Sequence, residues 1–230
     1  MAANSIVALD IMACKKYKGL EKLDDNTRRQ VGREFGFRQN SYIDWKVEQG
    51  YFFCLEHLIS YHSAHTTTVL TVKPLYADDL WWEIFDCQKC LKAPMSLRGD
   101  GAFAVPKQTI GDYGAIARKI FAENIDENSA EELDAIWHEI FKAVASDIER
   151  FLQENPDPDR FVPDESRVSL GHGGLLSLMA LIRQGREEEA VAIIRERQGQ
   201  GKSCGLVAGN TDGYEFILDW CRAKRGKSSL

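Results

Sequence analysis

Between residues 41 and 47, Ile43, Trp45 and Val47 alternate with Tyr42, Asp44 and Lys46, the period-2 pattern of a half-buried strand. Glu48-Gln49-Gly50 supplies a turn. Residues 51–61 then run apolar on both faces, Phe53, Leu55 and Ile59 against Phe52, Cys54 and Leu58, which predicts a central strand covered by helices. After the polar turn His62-Ser63-Ala64-His65, residues 66–72 are β-branched almost throughout, and Pro74 closes the run by removing a backbone donor. These segments predict an antiparallel meander of three strands, with a fourth short strand at residues 102–105 inside a loop region over 86–108.

Helical periodicity surrounds this meander. Residues 3–19 and 25–35 predict two N-terminal helices, the second ended by Gly36. Residues 78–85 place Leu80, Trp81, Ile84 and Phe85 on one face, with Asp78 and Asp79 as the N-terminal cap and with Trp82 pointing elsewhere. Thr109 with Asp112, and Ser129 with Glu132, have the spacing of capping boxes. The strongest helix follows the second box: Leu133, Ile136, Trp137, Ile140, Phe141, Val144, Ile148, Phe151 and Leu152 form one stripe, acids occupy the other side, and Asn155-Pro156 ends it. Residues 155–163, with three prolines, read as a linker or surface loop. Beyond it, 175–183 and 187–197 predict a helical hairpin across Gly185-Arg186, and 214–224 a last helix. The hairpin turn looks like one of the tetratricopeptide type, but no second copy stands at the repeat period of about 34 residues. The fold class is therefore α+β. An α+β domain is expected over 1–155, its meander of three or four strands covered by helices, with a helical C-terminal extension over 156–230 packed on it.

Composition narrows the class. A chain of 230 residues buries a sizeable core without staples, and 44% hydrophobic with 28% charged residues excludes disordered and fibrous classes. With no basic n-region at the start and no apolar run of roughly 18–20 residues, neither a secretory signal nor a membrane span is expected, and the cytoplasm is the expected compartment. The net charge of −6 argues against sequence-independent nucleic-acid binding. That charge is uneven. Residues 123–165 hold fourteen Asp and Glu against Lys142, Arg150 and Arg160, so this stretch carries −11 and the rest of the chain +5.

Of six cysteines, most lie in apolar stretches and read as small hydrophobes, which speaks against a disulfide framework. Cys87-x-x-Cys90 stands apart. With His62-x-x-His65 it offers the two thiolates and two imidazoles of a tetrahedral zinc site, provided the fold brings the pairs together; otherwise the four are a polar turn and two unrelated thiols. His57, on the face of its strand opposite Glu56, joins them as a candidate in a metal-dependent or hydrolytic enzyme with a cleft at the sheet edge. Other catalytic patterns fail at a required position. Gly171-His172-Gly173-Gly174 has no accompanying Gly-x-Ser-x-Gly elbow, Gly201-Lys202-Ser203 has Glu196 where a phosphate loop needs glycine, and His138-Glu139 has Lys142 where a zincin needs its second histidine.

The order of features in residues 30–105, a helix, Phe37 to Trp45, the central strand, Lys73-Pro74-Leu75 and Asp78-Asp79-Leu80-Trp81-Trp82-Glu83-Ile84-Phe85, resembles small bacterial α+β domains of unknown function. Some of these lie beside toxin genes and are regarded as immunity proteins. The resemblance covers about a third of the chain, implies an α+β fold and carries over no functional residue. Combined with the acidity, it favours a non-catalytic module that engages a basic protein through Glu131, Glu132, Asp134 and Glu139, with Trp82 as a further contact. The competing reading of those acids is a solvated face that keeps the protein soluble.

Overall fold

The computed structural model describes the chain except residues 1–2, 41–42, 61–63, 102, 123, 169–173 and 229–230, and the side chains of 3–18 and 225–228. One helix, α1 (Ala3–Glu34), takes the place of the two expected. The stretch between them holds no proline, and a single glycine such as Gly19 costs a helix only about 1 kcal/mol. Beyond Gly36 come β1 (Arg38–Asn40), β2 (Ile43–Glu48), β3 (Tyr51–Ser60) and β4 (His65–Pro74), then α2 (Leu75–Ile84), the single turns α3 (Gln88–Leu91) and α4 (Leu97–Asp100), and β5 (Gln108–Asp112). The strands form a five-stranded antiparallel sheet in the spatial order β1 to β5, with helices packed on it. The two-residue link from β2 to β3 uses Gln49 (φ +47°) and Gly50 (φ +80°), the positive-φ pair that matches strand twist in a tight hairpin.

The chain continues through α5 (Gly114–Ala117), α6 (Ala130–Glu154), α7 (Leu175–Arg183), α8 (Glu187–Gly199), the small hairpin of β6 (Val207–Ala208) and β7 (Thr211–Asp212), and α9 (Gly213–Ser228). The expected meander and helical C-terminal part are present, and the sheet is wider than expected. Residues 103–105 form no strand; the fifth strand lies at Gln108–Asp112, where a capping box was read. Asp112 accepts instead from the Gly114 N–H (2.8 Å) at the entry to α5. Ser129 also forms no box: its Oγ accepts from the Asp126 N–H (3.1 Å) and donates back into the same turn.

The described chain gathers into two compact units, Met1–Lys46 with Cys54–Leu70 and Gly111–Phe151, and Val47–Phe53 with Thr71–Ile110 and Leu152–Leu230; β2 to β5 contribute residues to both. In the first unit, α6 buries Leu133, Trp137, Ile140, Phe141 and Val144. Phe141 stacks on Phe35 and meets Phe37, with ring centroids 5.6 and 5.3 Å apart. Gly32 permits this approach, because a Cβ there would stand 3.0 Å from the Phe141 ring. Asp44, outward by alternation, is in fact wholly buried and paired with the buried Arg28, which also donates to Asp25 (2.7 Å). Burial pushes the Asp44 carboxyl up against the pull of Arg28.

The second unit is organised around Lys73, which is 0% exposed. Its ammonium donates to Asp78 Oδ1 (2.8 Å) and to the Val105 carbonyl (2.7 Å), and the Val105 N–H donates to the same Oδ1 (2.7 Å). Arg98 donates to the Leu75 carbonyl (2.8 Å) and to Asp79 Oδ1 (2.5 Å). The cap reading of Asp78 and Asp79 is thus corrected. Pro74 precedes the first turn of α2, and the two carboxylates hold α4 and the loop after it instead. Trp82, read as an outward contact, is 2% exposed; its Nε1 donates to the Phe103 carbonyl (2.8 Å) and Arg98 lies 4.9 Å above its ring. Within this unit α7 packs on α2 and α8, and α9 on α8 and α2.

Replacing Lys73 by Met removes the nearer of two cations from the buried Asp78, which keeps Arg98 at 3.5 Å and the Val105 N–H, and urea denaturation is expected to show a loss of about 3 kcal/mol. The wild type carries a pH signature too. Burial lowers the Lys73 ammonium from 10.5 to about 8 against the opposing pull of Asp78, so above pH 8 the unfolded chain holds a proton that the folded chain has released. Stability is therefore expected to rise between pH 8 and 10 by up to about 1.4 kcal/mol per pH unit relative to Lys73→Met. Above pH 10 the absolute stability of both proteins falls, because the phenols of Tyr51, Tyr76 and Tyr113, held up by burial, ionise first in the unfolded chain, and this shared fall cancels in the comparison.

Candidate functional site

The apolar stripe of α6 fixes which side faces solvent. Glu131, Glu132 and Glu139 are exposed and Asp134 is half-exposed, all within the arc opposite Trp137 and Ile140. Glu131 and Glu132 have a local reason to be acidic, since carboxylates in a first turn complement the helix macrodipole. Glu139 lies beyond that turn. It pairs with Lys119 (2.6 Å), but both side chains are about half exposed, and such a pair contributes only about 0–1 kcal/mol. Lys142, also exposed, lies on this same side of the helix one turn beyond Glu139.

His138 belongs to this cluster. Its Nδ1 lies 3.0 Å from the Asp134 carbonyl and 3.1 Å from Asp134 Oδ2, and its Nε2 lies 3.2 Å from Glu34 Oε2 at the end of α1. The Asp134 backbone bond is the main cause that raises its pKa above 6.5, and Glu34 adds to it. The sequence placed His138 on the surface of the acidic helix; the partner 104 residues away was not visible there.

The other candidates are distributed differently. His57 is buried in the first unit, with Nδ1 2.9 Å from Thr68 Oγ1, Nε2 3.5 Å from Asp24 Oδ2, and its ring edge-on to Trp137 at 4.7 Å. Asp24 also accepts from Trp137 Nε1 (2.7 Å). The sequence Thr68, His57, Asp24 has the order of a nucleophile, a base and an orienting acid, yet Thr68 is wholly buried and His57 is only 6% exposed. His65 is exposed at the start of β4, 3.5 Å from Thr67 Oγ1, while His62 and His172 lie outside the described residues.

Cys87 and Cys90 are joined to each other, with Cα atoms 5.3 Å apart. The reading of two unrelated thiols is thereby corrected, and in this state the sulfurs carry no thiolate charge with which to hold zinc. Among the described residues no group of three or more His, Cys, Asp and Glu has a metal-binding arrangement. Closing so short a loop is worth only about 2 kcal/mol in the chain-entropy picture, so the bond is a weak staple. Cys54, Cys204 and Cys221 are buried thiols, and burial pushes the Cys204 thiol up to about 11. In the second unit a groove of about 450 Å³ runs beside Tyr76, Glu83, Arg183 and Trp220. Its cations are already engaged: Arg183 forks onto Asp159 and Lys224 pairs with Glu187.

Comparison with protein families, curated proteins and solved structures finds no match for this chain. The geometry therefore stands alone. Among the described residues, no helix is long and apolar enough to cross a membrane.

The His138 cluster makes a direct prediction. With its folded pKa raised, the contribution of His138 to stability is complete below pH 6.5 and is lost as pH rises through the raised value. An NMR titration of its ring protons is expected to place the midpoint above 6.5 and to move it down in Glu34→Gln/Asp134→Asn; an unshifted midpoint in the wild type would contradict the cluster.

Proposed function

We propose that this chain is a non-catalytic protein-binding module, of the immunity type, that captures a basic protein partner with the acidic face of α6. The observation that carries the reading is the arc of Glu131, Glu132, Asp134 and Glu139 on a helix whose opposite side is held in the core by Trp137 and Phe141. A rigid helix presents these charges without further ordering, which limits the entropy lost on association. Fourteen acids against three basic residues over 123–165 extend the field beyond the contact itself, and such a field accelerates capture of an oppositely charged partner.

Two further observations support it. The constellation that most resembles catalytic machinery, at His57, is buried, whereas the acidic arc is reachable. The resemblance of residues 30–105 to immunity-type domains points the same way. Trp82 plays no part in the proposed surface, since its ring lies inside the second unit.

Capture from native lysate, followed by kinetics on the isolated pair, tests the reading. The charge-reversed variant Glu131→Lys/Glu132→Lys/Asp134→Lys/Glu139→Lys is expected to lose capture while keeping its circular dichroism, and the neutralised Gln/Gln/Asn/Gln variant to slow association about tenfold or more at low salt. For the wild type, raising the salt should slow association in the same direction. A partner held equally by all three proteins would refute the proposal.

A further inference from the structure

The two sulfurs of the Cys87–Cys90 bond are not equivalent. Cys87 is half-exposed, whereas Cys90 is 8% exposed and packed within the second unit. The presentation of Cys87 is fixed by backbone: Asp86 takes a left-handed φ of +53°, and the Cys87 N–H donates to the Trp82 carbonyl (2.8 Å). Exposed charges of both signs flank the pair, Glu83 and Asp86 before it and Lys89 and Lys92 within and after it. Phe103, 38% exposed, meets Phe85, two residues before Cys87, with ring centroids 5.1 Å apart.

The segments around the pair have other anchors. Lys73, Asp78 and Val105 form one, Arg98 with Asp79 a second, and Trp82 with the Phe103 carbonyl a third. A bond across three residues adds little to these as a staple, and a half-exposed cysteine bonded to a buried one is the arrangement that suits directed exchange. We propose that Cys87–Cys90 is a thiol–disulfide exchange centre, in which Cys87 is the sulfur attacked and Cys90 the shielded leaving and resolving thiol. Its co-substrate is a dithiol or a pair of thiols.

The donor thiolate attacks Cys87 Sγ, the bond to Cys90 Sγ breaks, and Cys90 departs as a thiolate that takes a proton from water. A donor–Cys87 mixed disulfide is left. A second donor thiolate attacks the donor sulfur of that bond and expels Cys87, which is protonated in turn. The donor ends as its disulfide and the pair has gained two electrons and two protons. Run backwards, the same steps oxidise a dithiol. This activity is independent of the acidic face of α6, and loss of either leaves the other testable.

The test uses the full chain, purified without added reductant and titrated with reduced and oxidised glutathione. Alkylation and peptide mass spectrometry at each ratio are expected to show one reversible two-electron transition confined to Cys87 and Cys90, with Cys54, Cys204 and Cys221 unchanged. Cys90→Ser should retain one glutathione as a mixed disulfide on Cys87, and Cys87→Ser should retain none. Circular dichroism of both variants establishes that they are folded. Two free thiols in the protein as purified in air, a bond that opens only in denaturant, or equal uptake of glutathione by folded Cys87→Ser would each overturn the proposal.

Discussion

An ammonium group that no water reaches must find its oxygens inside the protein, and much of the second unit follows from meeting that requirement for Lys73. Asp78 supplies one oxygen and the Val105 carbonyl another, which ties the end of β4 to α2 and to the loop that precedes β5. The same carboxylate oxygen accepts the Val105 N–H, so both backbone groups of one loop residue are fixed by one ion pair. A buried pair of this kind adds little net stability over well-packed apolar residues, whereas either half alone is costly. Its effect is geometric: alternatives that separate Val105 from Lys73 strand a charge. The first unit uses the same logic with other groups, Arg28 with Asp44 and Asp24 with Trp137, so its buried polar groups specify the approach of α1 and α6.

The elements legible in the sequence are those whose pattern is set by a single buried face. The stripe from Leu133 to Leu152, the two-sided apolar run of β3, the β-branched β4 and the hairpin across Gly185 are of this kind, because local periodicity and tertiary burial agree. Where they disagree, tertiary structure decides. Alternation turns Asp44 outward, but Arg28, sixteen residues earlier, gives the carboxylate a buried partner that no local rule reveals. Spacing gives α2 one apolar side, yet the loop after α3 closes over the other and buries Trp82 as well. The start of α2 was within reach, since proline is favoured at helix entry, and Pro74 marks it. Residues 108–112 lack both periodicities, and their strand character comes from pairing that only the fold supplies.

The candidate residues divide along the same line. Acids on the outer side of an amphipathic helix are legible because the apolar stripe fixes their direction, and the structure leaves Glu131, Glu132 and Glu139 in solvent as the pattern implies. The partnership of His138 with Glu34 depends on where α1 ends against α6, which the spacing of neither helix encodes. For Cys87 and Cys90 the spacing was visible but the chemical state was not, because the same two positions suit a metal, a disulfide or two separate thiols.

Reach separates groups that hold the molecule together from groups available to act. Thr68, His57 and Asp24 have the residue types of a catalytic relay, but Trp137 closes on the imidazole and the hydroxyl is sealed, so their hydrogen bonds serve the core. Glu131, Glu132 and Glu139 have reach, and even the Lys119 pair of Glu139 is half-exposed, so these charges face solvent and not a closed site. At Cys87 a half-exposed cysteine is bonded to a buried one, on backbone that the Lys73 cluster and the Trp82 contacts already hold. In the proposed exchange these contacts, none of which uses either sulfur, are what would hold the segment while the bond is open.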